Sequence, residues 1–449
     1  MPEISKKMVQ QVHHPEPSRR ITRKALSVSK ERVFKIQKEI KSISDFKEKI
    51  NEFLAKSVSE LLEIIVGGGI YLDASDIHIE PEEAEAKIRV RIDGLLQDVT
   101  TINLVIKENL TSRIKLLSGI KLNITDRPQD GRFSILIAGI SIEVRVSTLP
   151  AEHGESIVLR ILNPKSLIDL DVLGLREDLL NLFDREIKKP NGMIIITGPT
   201  GSGKTTTLYA FLKKIQKPEI KIITIEDPIE YHLKGISQTQ VDPAKGYDFA
   251  SGLQSIMRQD PDVILVGEIR DSKTCQIALQ AALTGHLVFT TLHTNDAAGT
   301  IARLTSLEGD LINIGPAINL AIAQRLVRKI CQKCTEFKTV SNEILVKLKK
   351  GLKGIPNNVK IPKLNEKLKI PQIRGCNYCN FTGYRGRIGI FEAILIDDEM
   401  EKFILKNPSI AAFREEAVKK GMVTMHQDGL IKVLQGVTTI EELERVTGE

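Results

Sequence analysis

The segment GMIIITGPTGSGKTT, residues 192–206, constrains the fold more than any other stretch of the chain. Six mostly apolar residues, Gly192–Thr197, read as a buried strand. A glycine-rich loop follows at once, and a helix is expected to start near Lys204. The loop fits the G-x-x-x-x-G-K-[ST] spacing at Gly198, Gly203, Lys204 and Thr205. Glycines are required where backbone N–H groups curl inward around phosphate oxygens, because a Cβ obstructs the curl. The positive end of the following helix adds to the attraction. The predicted nucleotide-binding set is Gly198, Pro199, Thr200, Gly201, Ser202, Gly203, Lys204, Thr205 and Thr206, with Lys204 on the β/γ-phosphates and the Thr205 hydroxyl on Mg²⁺.

Three more short apolar runs, residues 221–225, 263–266 and 287–291, alternate with helical patterns such as 271–283. Buried strands alternating with helices predict an α/β core with a mostly parallel sheet over residues 176–330. Strand ends in such a sheet are where chemistry collects. The run VILV ends in Gly267-Glu268, and Glu268 is the candidate carboxylate toward magnesium and the attacking water. TIEDPIEY, residues 224–231, adds Glu226, Asp227 and Glu230 after another strand, and either Glu226 or Glu230 suits a general base. GHLVFTTLHTNDA, residues 285–297, places His293 after a further strand, where it can sense the γ-phosphate.

Upstream, residues 56–165 read as a small α+β domain, with a strand over 84–92 and a hairpin over 133–146, followed by a linker at 166–175. Residues 1–55 read as a basic arm with one amphipathic helix over 30–53. The charge supports this division. The first 60 residues hold 14 Lys/Arg against 8 Asp/Glu, and the rest hold 50 against 49. Nearly all of the net charge of +7 therefore belongs to the arm, which reads first as a solvated tail and next as an arm touching an anionic membrane surface or an acidic partner. A near-neutral body with 4% aromatic residues argues against a nucleic-acid motor.

Four of the five cysteines form two CxxC pairs, Cys331/Cys334 and Cys376/Cys379. Four thiolates at that spacing suit a closed, structural Zn²⁺ site with no open position for catalysis. The zinc module is placed at 331–392, and a helical region at 393–449. Cys275, alone in a helical pattern, reads as a small buried hydrophobe. The chain shows no apolar run of membrane-spanning length and no signal-peptide pattern, so a cytoplasmic location is expected.

Taken together these segments resemble the ATPases that energise bacterial type II secretion and type IV pilus assembly, the GspE/PilB group. GPTGSGKTT corresponds to the Walker A loop, TIEDPIE to the Asp box, RQDPDVILVGEIRD to the Walker B region and GHLVFTTLHTNDA to the His box. The likeness extends through ASDIHIEP (74–81), DRPQDGRFS (126–134), EVRVSTLPAEHGESIVLRIL (143–162), CNYCNFTGYRGRIGIFE (376–392) and the segment 421–448. The resemblance implies a RecA-like P-loop core preceded by a PAS-like domain, and a ring-shaped homohexamer. It implies arginines reaching the γ-phosphate from the N-terminal domain. Arg145 and Arg160 match those positions, and Arg132 is a further candidate. It also implies inner-membrane platform and membrane-anchored adaptor proteins as partners, with peripheral attachment to the cytoplasmic face of that membrane. The tetracysteine module points to assembly or secretion rather than retraction. Only about 55 residues precede the resembling part, which leaves the docking mode open.

Overall fold

The computed structural model describes residues 25–27, 30–137, 139–164, 167–308 and 310–448. The most basic part of the arm, residues 1–24, lies outside them. Two seven-stranded sheets organise the molecule. The first contains β1 (Ala25–Ser27), β2 (Ala74–Pro81), β3 (Glu85–Ile92), β4 (Leu95–Asn103), β5 (Gln129–Ile137), β6 (Ile140–Ala151) and β7 (Gly154–Leu162) in the order β1-β5-β6-β7-β2-β3-β4. All its pairings are antiparallel except β1 with β5. Its strands alternate, as a sheet with one covered face should. Ile88 and Val90 of β3, Val144 and Val146 of β6, and Ile157 and Leu159 of β7 turn inward to a core shared with helix Val58–Tyr71.

That helix carries three consecutive glycines in its buried half, an arrangement that costs helix stability. Close packing explains it. A Cβ at Gly68 would stand 2.4 Å from the Phe46 ring, and one at Gly69 would stand 2.7 Å from Ile77. The partner helix is the correction to the expected arm. The single helix over 30–53 is two helices, Lys30–Glu39 and Ile43–Phe53. They part at Ser42, whose hydroxyl accepts from Asp45 N while Asp45 accepts from Ser42 N, a reciprocal cap that starts a new helix. Val33, Ile36, Ile40, Phe46 and Ile50 all enter the core of the first sheet. This segment is part of the α+β unit rather than a separate arm.

The second sheet contains β8 (Gly192–Thr197), β9 (Ile222–Glu226), β10 (Ser237–Gln240), β11 (Val263–Val266), β12 (Leu287–Leu292) and β13 (Ile318–Ile330). The two-stranded ribbon of β14 (Glu336–Thr339) and β15 (Lys369–Gln372) follows, and then β16 (Tyr384–Leu395), which returns to the second sheet. Its order is β10-β9-β11-β12-β8-β13-β16, parallel throughout except for β16. Both faces are covered. Met193 and Ile195 of β8 enter one core, and Ile194 and Ile196 enter the other. Parallel strands buried on both faces need continuous apolar sequence, which GMIIIT and VILV supply.

One boundary differs from expectation. The sheet does not end at residue 330, because β16 pairs along β13 from Leu320↔Leu395 to Ile330↔Tyr384. The C-terminal helical region packs onto the sheet. Phe413, Leu430 and Leu443 share a core with Met193 and Ile264 of the sheet. Glu392 of β16 fastens them, its two oxygens accepting from Ala297 N and Met425 N at 2.9 Å each, so one buried carboxylate starts two helices. No helix among the described residues is long and apolar enough to cross a membrane.

Candidate functional site

The glycine-rich loop leaves the end of β8 and enters helix Lys204–Ile215. Gly198, Gly201 and Gly203 have φ of 143°, 79° and 88°, values that L side chains rarely adopt. A Cβ at Gly198 would lie 2.4 Å from the carbonyl oxygen of Gln324, and one at Gly203 would lie 2.8 Å from Gln324 Nε2. Gln324, buried on β13, thus braces the loop from below and accepts a 2.7 Å hydrogen bond from Thr207. Nothing in the motif pointed to it. The Lys204 ammonium donates to the carbonyls of Gly198 (2.8 Å) and Pro199 (3.2 Å). Burial lowers its pKa, and the charges of Glu268 and Glu230 act against that. Ser202 Oγ is buried with no hydrogen-bond partner among the described residues. Glycines that the close approach of Gln324 requires, beside a buried hydroxyl with no partner, give a loop of the kind that holds a phosphate chain.

Because β8, β9, β11 and β12 are parallel, their ends lie along one edge of the sheet. The loop after β12 is tied to the loop strand through Thr294 N and Thr197 Oγ1 at 2.7 Å. Glu268, just past β11, faces His293 Nε2 at 3.3 Å and hydrogen-bonds Arg270. The ion pair with Arg270 is therefore present, and it does not remove Glu268 from the site.

The two glutamates of TIEDPIEY have different surroundings. Glu226 is buried, with its carboxylate accepting from Thr224 Oγ1 (2.5 Å), Gln238 Nε2 (3.1 Å) and the Tyr209 hydroxyl. The Tyr209 phenol is pushed up by burial and by the Glu226 charge. Glu230 has its pKa raised by burial and by Glu226, while Arg145, Arg160 and Lys204 pull it back. Glu226 is held by three donors, whereas Glu230 feels the charges of Arg145, Arg160 and Lys204.

The arginines come from the first sheet. Arg145 Nη2 donates to the Ile229 carbonyl at 2.6 Å, reaching across to the residue beside Glu230. Arg160 Nε donates to Asp76 Oδ1 at 2.9 Å. Arg132 is exposed and lies 4.0 Å from Glu143. Strand register aligns them in one lateral row, Arg132↔Arg145↔Arg160↔Asp76↔Arg91 across β5, β6, β7, β2 and β3. Sequence patterns could not show this row, because it is a product of sheet order.

The four cysteines meet at the far ends of β13 and β16. All four sulfurs lie within 4.8 Å of one another. The separations Cys331–Cys376, Cys334–Cys379 and Cys376–Cys379 are 3.9, 3.7 and 3.8 Å. A tetrahedral ion with metal–sulfur bonds of about 2.3 Å has sulfur–sulfur edges of about 3.8 Å, so the set fits Zn²⁺. Cys379 Sγ also accepts from Cys376 N (3.2 Å) and Gly383 N (3.3 Å), as a thiolate ligand would. The knuckle touches the first sheet's unit, with Asn380 Oδ1 accepting from Ile43 N (2.8 Å) and Gly386 N donating to Asp93 (2.7 Å). Cys275 is buried in helix Ser272–Leu283, away from this cluster.

Comparison with known proteins places this arrangement. The family model described as Type II/IV secretion system protein matches residues 51–445. The Type II secretion system ATPase E of Vibrio cholerae serotype O1 is 43% identical over 395 residues, covering 87% of this chain and 76% of that protein. The type IV pilus assembly ATPase PilB of Pseudomonas aeruginosa is 41% identical over 389 residues, covering 86% and 66%. Among solved structures, the pilus retraction motor PilT with bound ADP is similar at a TM-score of 0.57 and 27% identity, covering 86% of this chain and 96% of that one. The Legionella pneumophila ATPase DotB shares the fold, with a TM-score of 0.63 at 23% identity over 86% and 95%.

Proposed function

The chain belongs to the type II/IV secretion system protein family, and from that premise we propose that it is a motor ATPase that hydrolyses ATP to power type II secretion or type IV pilus assembly. One observation carries the reading. Glu268 faces His293, Arg145 of the first sheet hydrogen-bonds the carbonyl beside Glu230, and Lys204 of the phosphate loop feels the charges of both glutamates.

Each group has a distinct task in this proposal. The loop N–H groups and Lys204 hold the β- and γ-phosphates. Thr205 and Glu268 would hold Mg²⁺, which neutralises charge on the phosphates when bound. Glu230 orients the attacking water and takes its proton, since its raised proton affinity suits a base working near neutral pH. His293 keeps Glu268 in place and senses the γ-phosphate. Arg145 and Arg160 offer planar donor forks to the transferring group. They belong to a different sheet from the loop, so hydrolysis changes the force between the two halves of the chain, and that change is the power stroke. Four cysteines hold Zn²⁺ as a structural ion.

In this reading the chain works as a homohexamer against inner-membrane platform and adaptor proteins, at the cytoplasmic face of the membrane. The test is steady-state ATP hydrolysis with and without lipid vesicles or a platform protein's cytoplasmic domain. Lys204→Ala should abolish turnover. Wild-type turnover in that variant, or stimulation by DNA in place of lipid or platform protein, would overturn the proposal.

A further inference from the structure

The segment ASDIHIEP stands out in the sequence, yet it contributes no group to the chemistry above. We propose that its Asp76 is a positioning residue that holds Arg160 in the orientation needed to meet the γ-phosphate. This rests on the preceding assignment of Arg160.

Asp76 is a buried acid, 5% exposed, on the strand face it shares with the part-exposed His78 and Glu80. Its two oxygens have separate duties. Oδ2 accepts from Ser75 Oγ at 2.9 Å and stands 3.5 Å from Arg91 Nε. Oδ1 is thereby left for Arg160, whose Nε donates to it at 2.9 Å. The side chain of Arg160 is 61% exposed, and among the described residues neither of its Nη groups has a hydrogen-bond partner. The acid therefore grips the inner edge of the guanidinium and leaves the outer donor pair unclaimed. That outer pair is the fork that matches phosphate oxygens.

Register supplies the second reason. Arg145 and Arg160 are directly opposite across β6 and β7, an arrangement of like charges that destabilises a sheet. Asp76 is the next residue in the same row, directly opposite Arg160 on β2. It is the only acid in a row of four arginines. With Arg145 anchored to the Ile229 carbonyl, Asp76 lets two cations sit side by side without one swinging away into water. An arginine held in advance loses less side-chain entropy when it meets the transition state.

The experiment compares Asp76→Ala, Arg160→Ala and the double variant in the full-length, metal-loaded protein, measuring kcat, KM for ATP and melting temperature. Asp76→Ala is expected to lower kcat about tenfold, as loss of a charge-assisted contact made in the transition state does. KM should stay near wild type, and the fall in kcat should persist well below the melting temperature, which loss of a buried acid beside two arginines lowers. In the Arg160→Ala background the same change should lower kcat no further. Asp76→Glu should recover part of the loss. If Asp76→Ala is too unstable to purify, Asp76→Asn, of the same shape, carries the same expectation. Wild-type kcat in Asp76→Ala, with Arg160→Ala impaired, would overturn the proposal and leave the site intact. Additive losses, or a fall in kcat that only follows a fall in melting temperature, would also overturn it. Wild-type kcat in Arg160→Ala would instead show that the assignment of Arg160 itself was wrong.

Discussion

Arg176 and Asp428, 252 residues apart, form an ion pair inside the protein with Nη1 and Oδ1 separated by 2.7 Å. Asp428 also accepts from Phe391 N at 2.8 Å and from Lys432 at 2.6 Å. The end of the connection between the two sheets is thereby tied to a C-terminal helix and to β16. Removing one partner of a buried pair leaves an uncompensated charge, at a cost of about 3–5 kcal/mol. Asp428→Ala should lower unfolding free energy by that order in urea titrations. A loss of a few tenths of a kcal/mol would show the pair to be incidental.

Glu226 and Glu230 should separate cleanly on substitution. Glu230→Gln removes the proton acceptor and is expected to lower kcat by about 10²–10⁴, with ATP binding retained. Glu226→Gln replaces an oxygen that accepts from the surrounding hydroxyls and is expected to reduce melting temperature first. Turnover, fluorescent-nucleotide binding and thermal melts on both variants give the comparison, and the opposite ranking would reverse the two roles.

The proposed base also sets a pH dependence. Burial raises the pKa of Glu230 above the ordinary carboxylate value. Only the ionised form accepts a proton, so kcat should fall as pH drops through the raised value. The acid limb of the profile should lie above that of an exposed glutamate, and Glu230→Gln should lack it.

Glu442 predicts a second, separate pH effect, on stability. Burial alone would raise it, but hydrogen bonds from Arg445 and Arg328 hold it down to about 2, against 4.5 for a free side chain. An acid with a depressed folded-state pKa stabilises the fold above its unfolded value and loses that contribution as pH falls through the folded one. Melting temperature should therefore drop between pH 4.5 and about 2, and Glu442→Gln should show a smaller drop over the same window.

Metal analysis tests the cysteine cluster directly. The purified chain should carry zinc in a one-to-one ratio, and Cys334→Ser should lose it. Because the ligands come from both sides of the β13/β16 pair, the loss should also lower melting temperature. Full stability without metal would mean that the thiols stand together for packing alone.

The parts of this fold that were legible in the sequence are those that obey local rules. A β-branched run followed by glycines and Lys204 identifies its own strand, loop and helix, and VILV before Gly267-Glu268 identifies the neighbouring strand end. Apolar periodicity over 30–53 was legible too, but its break was not, since the Ser42–Asp45 cap interrupts the helix without interrupting the stripe. What stayed hidden depends on strand order. Gln324 under the loop, the arginine row and Asp76 are brought together by strands distant in sequence, and no spacing rule encodes that. Glu226 and Glu230 looked alike for the same reason, because the donors that tell them apart come from Tyr209 and Gln238.

Residues 331–383 leave the second sheet at Ile330 and rejoin it at Tyr384, two positions paired side by side. The excursion that carries the cysteines is therefore a side branch, entered and left through one doorway. Lengthening or trimming such a branch re-threads nothing in the sheet and changes closure entropy only slowly. Its Leu345, Leu348 and Leu352 nevertheless share the core of the second sheet, so a lineage that discarded it would have to cover that face again.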